Sequence, residues 1–71
     1  MANLPSSRKI VKILVAFGFV EVSQKGSHAK YRLLNDSTVR TVIVPMNKKE
    51  IPIGTFRSIV RQSGLNKTDF N

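Results

Sequence analysis

The chain has no cysteine and no tryptophan, and only one histidine and four carboxylates among its 71 residues. Without cysteine, neither disulfides nor thiolate-held metal can reinforce a domain so short that it buries only ~60% of its unfolded surface. The acids, Glu21, Asp36, Glu50 and Asp69, are scattered, and His28 stands alone, so no ordinary metal site is expected. Long apolar runs are missing too. The longest, Ile13 to Phe19, is far short of the ~20 residues a membrane span needs. Met1 to Ser7 has no charged region leading into an apolar core, so no signal peptide is expected and the cytoplasm is the default location.

Positive charge is what the chain has in excess. Twelve Lys and Arg against four acids leave a net charge of +8. In so small a protein this favours a polyanion, because pairing cations with phosphates releases condensed counterions. A basic surface serving only solubility, or an acidic protein partner, is the plainer alternative.

Hydrophobic periodicity divides the chain into five elements of one domain. Ser6 is a candidate N-cap. Ile10, Ile13, Leu14 and Phe17 follow at helical spacing, so residues 6–17 read as a helix closed by Gly18. The period then becomes two. Residues 19–24 read as a strand, Lys25 to Ser27 as its turn, and residues 28–34 as a second strand. On the second strand Ala29, Tyr31 and Leu33 share one face, and His28, Lys30 and Arg32 the other. Asn35 to Ser37 is a turn by composition, and the β-branched residues 39–44 form a third strand stopped by Pro45. After a loop through Lys48, Lys49 and Glu50, Pro52 is expected in the first turn of a second helix. Ile53, Phe56, Ile59 and Val60 mark its apolar stripe, and Gly64 closes it. Leu65 and Phe70 fold back as an apolar tail, with residues 66–69 able to make one further helical turn. The order predicts an α+β fold, α-β-β-β-α, with an antiparallel three-stranded sheet covered on one face by both helices.

If Ala29, Tyr31 and Leu33 face the helices, His28 points out of the uncovered face beside Lys30 and Arg32. Imidazole exchanges a proton near neutrality, with a reference pKa of ~6.5. Only RNA brings a 2′-hydroxyl next to its own phosphate. His28 is thus a candidate general acid/base for attack of that hydroxyl, with Lys25, Lys30, Arg32 and the Gly26 and Ser27 amides as candidate RNA-binding groups. The bland alternatives are a surface histidine, a turn glycine, a strand-end serine and a solvated basic strand face.

The sequence resembles the HicA toxin family, small mRNA-cleaving ribonucleases of bacterial and archaeal toxin–antitoxin pairs. The resemblance covers nearly the whole chain. It rests on Gly18 and Phe19, the run Gln24 to His28 (QKGSH) with Tyr31 and Arg32, and Val42 to Pro45 (VIVP). Further on it rests on Ile53 to Ile59 (IGTFRSI) and Arg61 to Leu65 (RQSGL). It implies a fold like the double-stranded-RNA-binding domain, His28 as catalytic residue, and a HicB-type antitoxin that masks it. Two departures matter. Many members carry a histidine soon after the proline ending strand three, where this chain has Met46 and Asn47. Also, Gly54 to Ser58 is not the lysine cluster of duplex-RNA binders, so the fold does not imply duplex binding.

The expectation is therefore a cofactor-free, metal-independent endoribonuclease toxin cutting single-stranded messenger RNA. A non-catalytic RNA-binding module on the same basic face is the main rival. DNA binding through Arg57 and Arg61 of the last helix is disfavoured, since a helix-turn-helix needs two consecutive helices. A DNA role belongs more naturally to the antitoxin or its complex.

Overall fold

The fold is described from a computed structural model, which covers residues 4–34 and 38–70. The expected turn at Asn35 to Ser37 lies outside the described residues. The element order is α1 (Ser7–Ala16), β1 (Val20–Lys25), β2 (His28–Leu34), β3 (Val39–Pro45) and α2 (Ile53–Ser63), closed by a 3-10 turn at Lys67–Phe70. This is the expected α-β-β-β-α order. The sheet is an antiparallel meander, β1-β2-β3, with β2 at its centre.

Local chemistry accounts for most boundaries. Ser6 caps α1 by accepting the Lys9 N–H at 3.1 Å. Gly18 takes φ +99°, a left-handed exit that other residues resist. The β1–β2 hairpin has a two-residue loop with Gly26 at φ +59° in first position, as a type II′ turn requires. Pro52 is a correction. It stands at the N-cap with extended ψ 146°, one residue before the first turn of α2, and supplies no side-chain cap.

One core unites the elements. Ile10 and Leu14 from α1, Ala29 and Tyr31 from β2, Val42 and Val44 from β3, and Phe56 and Ile59 from α2 pack together with Phe19, Ile51 and Phe70. Phe70 stands edge-on to Phe56 at 5.8 Å, so the C-terminal tail does fold back. Val42 and Val44 of β3 point into the core, and Arg40, of the same parity but exposed, lays its guanidinium against Gly64 at the C-terminus of α2. The negative end of the helix dipole gives that cation its reason to be there.

A second tie joins the N-terminus to the loop after β3. Ser7 donates its hydroxyl to the Pro45 carbonyl at 2.6 Å and accepts the Lys48 N–H at 3.0 Å. Its own N–H donates to the Lys48 carbonyl at 2.9 Å, and the Ile51 N–H to the Pro5 carbonyl at 2.8 Å. Between them Asn47 turns the chain at φ +63°, a left-handed conformation that asparagine tolerates.

Tyr31 is buried and donates its hydroxyl to a Glu21 carboxylate oxygen at 3.2 Å. Burial first, then the Glu21 hydrogen bond and charge, hold its phenol above the ordinary 10.0. The folded state therefore keeps this proton after the unfolded chain has lost it. That contribution is complete below about pH 10 and declines as pH rises through the folded value. Denaturant melts above about pH 10 should show a steeper loss of stability in the parent than in Tyr31→Phe. Parallel curves would show that the phenol is not the linked group.

Candidate active site

His28 begins β2, directly after the tight turn, where the register pairs it with Lys25 on one side and Pro45 on the other. Alternation along β2 sends Ala29 and Tyr31 into the core and leaves His28 exposed on the opposite face. Its Nδ1 lies 3.4 Å from the Ser27 hydroxyl, a long contact that biases the ring without locking it.

Two clefts meet at this imidazole. One runs over the sheet face and is lined by Lys25, His28, Lys30, Ser23 and Ile43. The other, about 450 Å³, lies between the end of the sheet and α2. Ser27, His28 and Pro45 line it from the sheet, Lys48 from the loop, and Pro52, Thr55, Ser58 and Gln62 from α2. The uncovered face is thus not flat at the His28 end. There α2 stands beside the edge of β3, tied to it by the Gln62 side-chain oxygen, which accepts the Ile43 N–H at 3.2 Å.

The candidate residues divide accordingly. Lys25 and Lys30 share the sheet-face cleft with His28, and Ser27 shares the helix-side cleft. Arg32 lies two ladder pairs beyond Lys30's neighbour on β3, opposite Thr41, to whose hydroxyl it donates at 3.4 Å. It is not brought to the imidazole. Gly26 lines neither cleft; what the structure gives it is the backbone turn that presents Ser27 and His28.

Sequence reasoning missed Lys48, Thr55, Ser58 and Gln62. One signal could have found Lys48. A strand ending at Pro45 opposite the start of β2 must deliver its next residues beside His28. The α2 residues have a weaker signal, a polar stripe at three- and four-residue spacing beside the apolar one.

In chemical terms this is a proton-transfer group between ammonium groups, in clefts open to solvent. The first turn of α2 carries no acid and no side-chain cap, so the positive end of its dipole is left open to the cleft at Pro52. Among the described residues no three His, Cys, Asp or Glu side chains gather to hold a metal ion, and no helix is long and apolar enough to cross a membrane. Compared with known families, residues 7–65 match the model of the HicA toxin of bacterial toxin–antitoxin systems. No curated protein matches the chain.

Proposed function

The chain belongs to the HicA toxin family of bacterial toxin–antitoxin systems, and from that premise we propose that it is an endoribonuclease cleaving single-stranded messenger RNA with His28 as general acid/base. The family makes it a toxin and implies a HicB-type antitoxin as its partner. The observation that carries the catalytic reading is the position of the sole imidazole, exposed where two lysine-lined clefts meet.

In this reading Nδ1–H donates to the Ser27 hydroxyl, which leaves the Nε2 lone pair for substrate. Nε2 takes the proton of a ribose 2′-hydroxyl as its oxygen attacks the adjacent phosphorus. The bond from phosphorus to the 5′-oxygen breaks, and that oxygen takes its proton from water in the open cleft. The products are a 2′,3′-cyclic phosphate and a 5′-hydroxyl end. Lys48 on one side, with Lys25 and Lys30 on the other, holds the non-bridging oxygens as charge builds on them. Tyr31 takes no part, because its hydroxyl faces Glu21 across the core side of the sheet.

Purified chain incubated with a single-stranded transcript and a chelator should release new ends of those two types. Retention of the transcript without new ends would instead establish the binding-module reading. Lys48→Ala should lower the cleavage rate about tenfold to a hundredfold, somewhat less than loss of a buried oxyanion donor. An unchanged rate would remove Lys48 from the site.

A further inference from the structure

The helix-side cleft continues past His28 along α2, and its far half has no role in moving a proton or holding a phosphate. Its sheet wall is Ile43, exposed on the outer face of β3, and the buried Pro45 two residues on, about 7 Å along the strand, closes its inner end. Ile43 is 37% exposed, an uncovered apolar side chain at a strand centre. Opposite it, Ser58 and Gln62 stand one turn apart on the same stripe of α2.

Two hydrogen bonds set the polarity of that stripe. Gln62 uses its side-chain oxygen to accept the Ile43 N–H, which leaves its NH₂ as the available end. Ser58 uses its oxygen to accept from Arg61 Nη2 at 3.3 Å, which leaves its hydroxyl proton available. The two groups therefore each have a proton to give, one helical turn apart, above an apolar surface.

We propose that this half of the cleft is a nucleobase subsite for the residue next to the scissile phosphate, selecting a base that presents two adjacent acceptors. Guanine does so with O6 and N7, and cytosine with O2 and N3. Adenine and uracil alternate donors with acceptors along their edges and leave one protein donor unmatched. The base lies on Ile43 while its phosphate reaches Lys48 and His28. A cleft of about 450 Å³ falls within the range of small-ligand sites. The assignment to RNA rests on the cleavage reading above; the donor pair itself does not.

The test has two arms. The first maps the ends left on a transcript of mixed sequence by the parent chain, Gln62→Glu and Ser58→Ala. Gln62→Glu keeps an oxygen for Ile43 and replaces the donating NH₂ with an acceptor. The second arm follows backbone amide shifts of the parent and Gln62→Glu chains titrated with GMP, CMP, AMP and UMP. The expected result is roughly tenfold enrichment of guanine or cytosine at one position beside the cut, as a good pair of base hydrogen bonds gives. That enrichment should disappear in Gln62→Glu and weaken in Ser58→Ala. GMP or CMP should shift the amides of Ser58 and Gln62 in the parent only. A general fall in rate does not enter, because the readout is a ratio between bases. Equal base frequencies, a bias that survives both substitutions, or four indistinguishable nucleotides would overturn the subsite. A parent chain that makes no cuts would overturn the cleavage reading, and the titration would then decide the subsite alone.

Discussion

His28→Ala should abolish both RNA cleavage and growth arrest while leaving a folded chain that still binds its antitoxin. Removing a general acid/base typically lowers a rate by 10²–10⁴, that is, by about 3–5 kcal/mol of transition-state stabilisation. The chain offers no second imidazole to take over, and its one phenol, Tyr31, lies on the core side. The fold has little to lose. The ring is exposed, and its one side-chain hydrogen bond among the described residues is the 3.4 Å approach to Ser27. Substitutions of that kind usually change stability by no more than about 0.5 kcal/mol. Thermal melting, antitoxin pull-down and cleavage measured on one preparation separate the outcomes. Cleavage that survives in His28→Ala would move the chemistry elsewhere; cleavage lost together with the melting transition would mark His28 as structural.

Ser7→Ala should have the opposite profile, with stability falling first and activity following. Ser7 is 3% exposed, and its hydroxyl serves the Pro45 carbonyl and the Lys48 N–H at once. Alanine would leave both backbone groups without that partner, at about 1–3 kcal/mol for each group that water does not reach. A small domain has only about 0.05–0.15 kcal/mol of stability per residue, so a loss of this size is a large fraction of the whole. The midpoint of a urea melt should fall accordingly, with its slope unchanged. Activity below the midpoint should fall too, because the same hydroxyl holds the loop that carries Lys48 to the cleft. Ser7→Thr, which keeps the hydroxyl, should recover activity if its methyl is accommodated. A midpoint shift under about 0.5 kcal/mol would show that the tie between α1 and the loop is not a source of stability.

Periodicity made the sheet legible because alternation along β2 is clean. Ala29 and Tyr31 are apolar or aromatic, His28, Lys30 and Arg32 are not, and the structure buries the first set. β3 was harder, since Arg40 shares parity with Val42 and Val44. Its place on the helix side makes sense only once Gly64 and the C-terminus of α2 are beside it, a contact between residues 24 positions apart. Pro52 was placed one residue late because a proline suits both an N-cap and a first turn. In the site, the residues within one hairpin of His28 could be found from the chain. Lys48 could not be found by composition, because one lysine in a loop looks like its neighbour Lys49. Gln62 was hidden for a different reason: its bond to Ile43 is tertiary, and a glutamine on an exposed helix face carries no mark of it.

The closure of β3 has a consequence for how this protein behaves in bulk. Polymerisation by strand addition requires two usable edges on every molecule, so that each newcomer presents another. At the end of β3 nearest the imidazole, Pro45 has no N–H, its carbonyl is occupied by Ser7, and the Ile43 N–H is occupied by Gln62. A newcomer there would find no donor at Pro45 and would have to displace two existing bonds. Along β1 every residue is exposed, with an irregularity between Glu21 and Ser23 interrupting an otherwise regular ladder. The sheet is therefore lopsided, receptive along one margin and shut at the other beside the cleft. Strand addition is thus favoured along β1 over the cleft end of β3, which works against growth through both edges of the sheet.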